Sequence, residues 1–378
     1  MHQPPNRPTA EPSNRRSARF AERRARLLAL VASEGLGGLI VTHLPNVRYL
    51  TGFTGTAGIV LLLPQDTVFL SDFRYRTQAE EELGDDVRVE IPPSDVWERL
   101  GRVLGEYPGV ERAGFEAQKV TVADAERFTR MNGRTRFQPV KDLVERLRVS
   151  KDAEEVAAIR AAGRLASEAL AATLPCVRVG QRELDVAARL ETELRTRGSE
   201  WHPFPTIVAS GPRSALPHAR TSDRVIERGD WLLLDFGAQV EGYCADVTRT
   251  VVVGRPADER QRTVYDLVRE AQVAARQRVR AGMSGREADG VARGVLEARG
   301  FGDAFGHSLG HGVGLEVHEG PRLSRLNEDL LPQGAVVTIE PGAYFPGWGG
   351  VRLEDDVWLG PDGAELLTDG DVDLKELT

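Results

Sequence analysis

The chain has 378 residues, room for two ordinary domains and for a core that needs no disulfide staples. Lys plus Arg total 49 against 57 for Asp plus Glu, a net charge of −8, whereas a dedicated nucleic-acid binder would carry a strong basic excess. Cys176 and Cys244 are too few for a disulfide framework, which points to a reducing, cytoplasmic compartment, and the longest apolar runs, such as Gly58 to Leu63, fall far short of a membrane span.

The head of the chain runs against the overall charge. Within its first 50 residues eight Arg face only Glu11, Glu22 and Glu34, and prolines stand at 4, 5, 8 and 12. This predicts a solvated, disordered tail over 1–16 that feeds a helix over 17–34, where Phe20, Leu27, Leu28 and Val31 recur at helical spacing. No apolar h-region with a small-residue cleavage site follows, so no signal peptide is expected. Gly37-Gly38 then breaks the pattern, and strands are predicted at 39–41, 59–63 and 68–70, the last two split by Pro64-Gln65-Asp66. A helix at 78–83, a strand at 87–91, a helix at 96–104, a strand at 112–116 and a helix at 123–131 complete an α/β layer over 17–147. A long charged helical stretch is expected from near Lys141 to about Leu174, with Ser150 or Asp152 as a cap and the domain boundary near 148. Helices over 182–196, 257–281 and 285–299 end at Gly198, Gly282 and Gly300 within a second domain, 148–378.

Four carboxylates in that second domain look too costly to be structural. Trp231 to Phe236 is an apolar strand carrying Asp235, and Cys244 to Val253 is a second carrying Asp246. A hairpin centred between 240 and 241 sets the two acids opposite each other on one face, where they repel and where burial of each costs several kcal/mol. A cation between them removes both problems; the alternative is that Arg249 or another base pairs with one of them. Near the C-terminus Glu340 ends the run Val336 to Ile339, Glu354 follows Val351-Arg352-Leu353, and a hairpin centred at 347 opposes them with Gly347, Gly349 and Gly350 in the turn. Between these pairs lie three of the seven His, at 307, 311 and 318, among glycines that favour extended chain over helix. Four carboxylates and an imidazole suit hard to borderline divalent ions such as Mn²⁺, Co²⁺ or Zn²⁺. Two such ions balance four negative charges, and about 3.5–4 Å apart they clamp a hydrolytic transition state.

At these residues the sequence resembles the pita-bread metallopeptidases, the family of methionine aminopeptidase, aminopeptidase P and prolidase. The resemblance lies in Asp235-Phe236-Gly237, Asp246-Val247-Thr248-Arg249-Thr250, His311 between Gly310 and Gly312, Thr338-Ile339-Glu340-Pro341-Gly342, and Arg352-Leu353-Glu354-Asp355. Residues 46–58 and 69–76 look like the N-terminal domain shared by creatinase, prolidase and aminopeptidase P, which methionine aminopeptidase lacks. Phe204 to Val208 and Ala215-Leu216-Pro217-His218 look like the approach to a substrate pocket, and His307 is typical of the proline-cleaving branch. The resemblance implies an α/β creatinase/prolidase-like N-terminal domain plus an α+β pita-bread catalytic domain. It implies cleavage of the Xaa-Pro bond at the N-terminus of dipeptides or short peptides, with a slight lean to a dipeptidase and aminopeptidase P as the alternative.

The family also implies roles. Asp235 would hold one metal, His311 and Glu340 the other, and Asp246 and Glu354 would bridge, with Mn²⁺ expected ahead of Co²⁺ or Zn²⁺. A bridging hydroxide would attack the carbonyl before proline, Glu340 would shuttle the proton, and His318 would hydrogen-bond the carbonyl oxygen. His218 and His307 would line the proline pocket, Arg352 would support the site, and Arg249 would back the carboxylates. Arg322, four residues after His318, would anchor a free proline carboxylate or else sit on the rim. A homodimer is expected as well. Rival readings are a creatinase-like amidinohydrolase, methionine aminopeptidase, and a catalytically inactive peptide- or protein-binding member of the fold.

Overall fold

The computed structural model describes residues 13–131 and 134–378, and the chain divides into two compact units that part between Arg148 and Val149. The predicted tail falls on residues 1–12, which lie outside the described residues, and on 13–16, which already belong to a helix.

The N-terminal unit contains α1 (Ser13–Ser33), β1 (Gly38–Val41), α2 (Leu44–Thr51), β2 (Ile59–Leu63), β3 (Asp66–Leu70), α3 (Arg76–Glu82), β4 (Arg88–Glu90), α4 (Val96–Gly105), β5 (Arg112–Glu116), α5 (Val122–Met131), β6 (Arg136–Val140) and α6 (Glu145–Arg148). Its six-stranded sheet runs β4-β3-β2-β1-β5-β6, with β1, β5 and β6 parallel and β1-β2-β3 an antiparallel meander. Ile40, Leu61, Val68, Leu100, Val103 and Phe128 close one face. Two elements were not foreseen. The eight-residue α2 has Pro45 in its first turn and stops at Gly52, whose φ of 79° ends it. The strand β6 holds Pro139, which a sheet tolerates because β6 is an edge. The basic head also has a use beyond solvation. Arg16, Arg23 and Arg24 donate to the carbonyls of Gly52, Tyr49 and Leu50 at 3.4, 3.1 and 2.8 Å, placing cations at the C-terminus of α2 where the helix dipole favours them.

The second unit contains α7 (Ala153–Thr173), α8 (Glu183–Thr196), β7 (Ile207–Ser210), β8 (Trp231–Val240), β9 (Tyr243–Val253), α9 (Glu259–Arg278), α10 (Gly285–Ala298), β10 (Gly310–Gly312), β11 (Glu319–Leu323), β12 (Val336–Ile339), β13 (Gly342–Phe345), β14 (Gly349–Arg352), β15 (Asp355–Gly360), β16 (Gly363–Leu366) and β17 (Glu376–Leu377). The helical stretch expected over 141–174 is thus two helices, α6 and α7. The second starts at a capping box in which Asp152 Oδ1 accepts from Glu155 N and Glu155 Oε2 accepts from Asp152 N, each at 2.9 Å.

Two half-layers make up this unit. Ala162, Ala166 and Leu190 of α7 and α8 pack on Leu234, Phe236 and Val247 of the sheet β17-β9-β8-β7. Val268, Ala271, Ala292 and Leu296 of α9 and α10 pack on Val337, Ile339, Leu353 and Val357, which include residues of the sheet β11-β10-β12-β15-β16. An antiparallel bridge between Thr248 and Glu354 joins the two sheets.

Replacing Asp152 by Ala removes one half of the α7 capping box and is expected to lower stability by about 1 kcal/mol. Urea unfolding followed by circular dichroism measures this, and an unchanged midpoint would contradict it.

Candidate active site

The face that carries the acids follows from strand alternation. On β9 Ala245, Val247, Val251 and Val253 enter the α7–α8 core, so Asp246 and Thr248 point the other way; on β8 Leu232, Leu234 and Phe236 do the same and leave Asp235 on that inner face. The hairpin pairs Asp235 with Thr248 and Gly237 with Asp246. The expected direct opposition of Asp235 and Asp246 is therefore corrected by two residues. The turn centres one residue later than expected, on Glu241 and Gly242, which both hold positive φ (49° and 77°) as a two-residue hairpin turn requires. A slip of two keeps the face, so the acids are diagonal neighbours on one surface.

The second pair lies as expected. Ile339 pairs with Asp355 and Gly342 with Arg352, two runs in one register that set Glu340 opposite Glu354 between them. His311 arrives on β10, squeezed between β11 and β12. A Cβ on Gly310 would sit 2.0 Å from the Thr338 carbonyl oxygen and one on Gly312 1.9 Å from that of Gly320, so only glycine permits this approach. His311 Nδ1 donates to the Gly312 carbonyl at 3.1 Å, which leaves the Nε2 lone pair 3.4 Å from Glu340 Oε1 and 3.8 Å from Asp246 Oδ2.

Single donor atoms of Asp246, His311 and Glu354 lie within 4.8 Å of one another. Burial raises the carboxyl pKa of Asp246 and Glu354 well above the usual range, with mutual repulsion adding to it, and lifts Glu340 to about 8. Asp235 is raised less, because Arg352 opposes the effect of its burial. Burial also lowers His311 to about 4, so its imidazole is neutral at pH 7. Asp246 Oδ1 is buried and has no hydrogen-bond partner. An orphaned carboxylate oxygen beside an imidazole lone pair and further carboxylates fits a hard to borderline divalent cation.

The base that meets Asp235 is Arg352, not Arg249. Arg352 Nη2 contacts Asp235 Oδ2, Nε reaches Thr248 Oγ1 at 3.1 Å, and Nη1 donates to the Pro217 carbonyl at 3.1 Å and to the Tyr344 hydroxyl at 3.0 Å. Arg249 instead pairs with Asp355 at 2.7 Å and donates to the Glu354 carbonyl at 2.6 Å, so it holds the backbone of that acid rather than its charge. Four residues that sequence reasoning assigned no role complete the shell. Thr248 Oγ1 donates to Glu354 Oε2 at 2.5 Å, and Thr338 Oγ1 donates to Glu340 Oε1 at 3.2 Å. Asp356 Oδ2 accepts from Asp246 N at 3.0 Å. Tyr344 stands between Arg352 and His307, whose Nδ1 donates to the Ser308 carbonyl at 2.8 Å, so the hydroxyl donates to His307 Nε2 at 2.9 Å. Thr248, Thr338 and Asp356 each left a trace, two residues from Asp246, Glu340 and Glu354 and hence on the same strand face.

Of the remaining predicted residues, His318 lies beside His311, with ring centroids 4.3 Å apart and the rings tilted by 60°, and its pKa is lowered by desolvation and by the Arg322 charge. Arg322 is exposed and pairs in register with His311 on the neighbouring strand. His218 is exposed on the loop after β7, and its charge acts on Asp235, His307 and His318. Burial lowers His307 to about 4.

Known proteins resemble the chain over both of its units. Residues 157–361 match the model of metallopeptidase family M24, and residues 23–150 match the creatinase/prolidase N-terminal domain. The chain is 36% identical over 355 residues to the Xaa-Pro dipeptidase of Pyrococcus furiosus, covering 93% of this chain and 99% of that one. Among solved structures it superposes on an Xaa-Pro dipeptidase from Bacillus anthracis with a TM-score of 0.91, at 37% identity over 95% of this chain and 100% of the other. An X-Pro aminopeptidase from Thermotoga maritima matches with a TM-score of 0.87, at 38% identity over 94% of this chain and 99% of the other.

The raised carboxyls give the metal-free protein a defined pH slope. Glu340, near 8 when folded and near its ordinary value of 4.5 when unfolded, binds more protons in the folded state between those values, so stability falls as pH rises. His307 and His311, lowered from 6.5 to about 4, act with the opposite sign but only below 6.5. Between pH 6.5 and 8 the chelated protein is therefore expected to lose melting temperature, and saturating Mn²⁺ is expected to remove that loss; calorimetry with and without chelator reads both. A flat chelated profile across this window would contradict the assignment.

Proposed function

This chain belongs to metallopeptidase family M24, and from that membership we propose that it is an Xaa-Pro dipeptidase with two divalent ions held by Asp235, Asp246, His311, Glu340 and Glu354. The observation that carries the metal assignment is the convergence of single donor atoms of Asp246, His311 and Glu354 within 4.8 Å of one another, with Asp246 Oδ1 left without a hydrogen-bond partner. Mn²⁺ is the ion proposed, with Co²⁺ and Zn²⁺ as alternatives that the same oxygen and nitrogen donors accept. When bound, the ions supply positive charge that polarises the scissile carbonyl and favours deprotonation of water.

The chain's own groups do the rest. Glu340, whose Oε1 lies 3.4 Å from His311 Nε2, takes the proton of the attacking water and returns it to the proline nitrogen as the bond breaks. His318, beside His311 and open to solvent, donates to the carbonyl oxygen as negative charge grows on it. The chain from Arg352 through the Tyr344 hydroxyl to His307 fixes the His307 ring, and with His218 it forms the wall against which the proline packs. Arg322 supports the dipeptide reading. Its charge acts on both His311 and His318, which supports a guanidinium that takes the free carboxylate of a C-terminal proline. Its exposure favours the second reading, an aminopeptidase on longer Xaa-Pro peptides. A homodimer and a cytoplasmic location are further parts of the proposal. A content of only two cysteines, Cys176 and Cys244, is in keeping with a reducing compartment, and among the described residues no helix is long and apolar enough to cross a membrane.

Metal-stripped protein re-supplied with Mn²⁺ is expected to hydrolyse Ala-Pro and not Ala-Ala. Asp246→Ala should abolish both this turnover and binding of two metals per chain. A variant with normal kcat would refute the ligand set, and no cleavage by the parent protein would favour the inactive binding member of the fold.

Arg322→Ala is expected to raise KM for Ala-Pro about tenfold or more, the scale of a lost charge-assisted hydrogen bond, while sparing Ala-Pro-Gly. Equal losses on the two peptides would move Arg322 to the rim and favour the aminopeptidase.

A further inference from the structure

Glu183, the first residue of α8, is fully buried (0% exposed), and its two oxygens divide their work between two distant points of the chain. Oε1 accepts from the Ser210 backbone N–H at 2.7 Å and from its hydroxyl at 2.9 Å. Oε2 accepts from the Ser222 backbone N–H at 3.0 Å and from its hydroxyl at 2.7 Å. Arg213, from inside the intervening loop, reaches both oxygens with Nε at 3.2 Å and contacts the Arg220 carbonyl with Nη2. One carboxylate therefore closes the loop of residues 211–221 at its neck and ties its interior to the same point. The start of α8 adds to the closure, since Glu183 N donates to the Arg224 carbonyl and Leu184 N to that of Ser222, at 3.0 and 3.2 Å.

That loop is the one that carries His218. It also supplies the Pro217 carbonyl to Arg352, and Ser214 Oγ accepts from Gly350 N at 2.9 Å on the strand that bears Arg352. Among the described residues no strand ladder pairs with residues 211–221; besides these fastenings, Thr221 Oγ1 donates to the Thr206 carbonyl at 2.8 Å and accepts from Val208 N at 2.9 Å. We propose that Glu183 is a positioning residue for the Xaa-Pro reaction: it staples the neck of the 211–221 loop and so sets where His218 and the Pro217 carbonyl stand at the substrate site. This rests on the reading that His218 packs against the substrate's proline.

The test is a double-mutant cycle on the Mn²⁺-loaded protein with Ala-Pro. Glu183→Gln keeps the shape of the side chain but puts an amide donor where one neck contact needs an acceptor. It is expected to raise KM about tenfold, the scale of one charge-assisted hydrogen bond, with kcat changed less than about threefold and two metals retained. On a His218→Ala background the same change is expected to have less than about a twofold further effect, because the two act through one contact. Hydrogen exchange of Glu183→Gln should quicken within 211–221 and not within 231–253. Full additivity on the His218→Ala background, lost metal, or unchanged exchange in the loop would each overturn the proposal. If His218→Ala alone leaves KM unaltered, the substrate role of His218 fails, and Glu183 is then judged by loop exchange together with KM: a change in both supports the staple acting through the Pro217 carbonyl, and an unchanged KM overturns it. Should Glu183→Gln fail to fold, Ser210→Ala and Ser222→Ala each remove one neck hydroxyl. Both are expected to raise KM in the same direction by a smaller factor, and an effect on kcat alone would refute the proposal.

Discussion

Four carboxylates that repel one another must be held on one inner surface, and the fold of the second unit answers to that constraint. Burial raises the pKa of Asp235, Asp246, Glu340 and Glu354, and the charges of the others push Asp246 and Glu354 further. Loops would relieve such repulsion by moving apart. The acids instead sit on or between strands whose ladders leave little freedom, on β8 and β9 and in the register shared by β12–β15 and β13–β14. The Thr248–Glu354 bridge then brings the two sheets together at the point where their acids meet.

Strand alternation also separates acids that are neighbours in sequence. Glu354 and Asp356 share the inner face, one accepting from the Thr248 hydroxyl and the other from the backbone of Asp246. Asp355, between them, points outward into a saturated set of donors: Arg249 and Thr368 at 2.7 Å on one oxygen, Gln272 at 2.6 Å on the other. It is fully buried, and with Arg276 Nη1 also reaching the second oxygen at 3.4 Å each oxygen has two donors. Asp246 is the contrast, since one of its oxygens has none.

What the sequence revealed and what it hid follow from the range of the interactions. Alternation and turn chemistry are local, so the face of each acid was legible, as was the full register of the Glu340–Glu354 hairpin with Gly347 at its tip. The Asp235–Asp246 hairpin came out two residues off, because a non-glycine residue, Glu241, occupies a left-handed turn position that carries no strong local signal. The division of 141–174 into two helices was missed although Asp152 and Glu155 both stood in view. The Tyr344 link between His307 and Arg352 and the Arg249–Asp355 pair join residues that only the fold brings together. The contacts of the α1 arginines were hidden as well, since nothing in the sequence marks the carbonyls of α2 as their acceptors.

The three histidines proposed to face substrate share a design that the metal ligands do not. Each lies on a loop or strand end rather than inside a ladder, and each such segment is tied to the rest of the unit by an ion pair with at least one buried partner. Glu183 with Arg213 holds the His218 loop. Asp289 with Arg293, four residues apart on α10, holds the His307 carbonyl through Arg293 and the Leu309 N–H through Asp289. Lys151 with Glu319, at 2.6 Å, fixes the residue next to His318. A buried ion pair gains little net stability, because desolvation offsets most of the attraction, but breaking it is expensive and few other geometries satisfy it. Such pairs suit segments that must hold one geometry without a ladder to define it. The division of labour is then physical: strands hold the charges that repel, and ion pairs hold the rings that must meet a substrate.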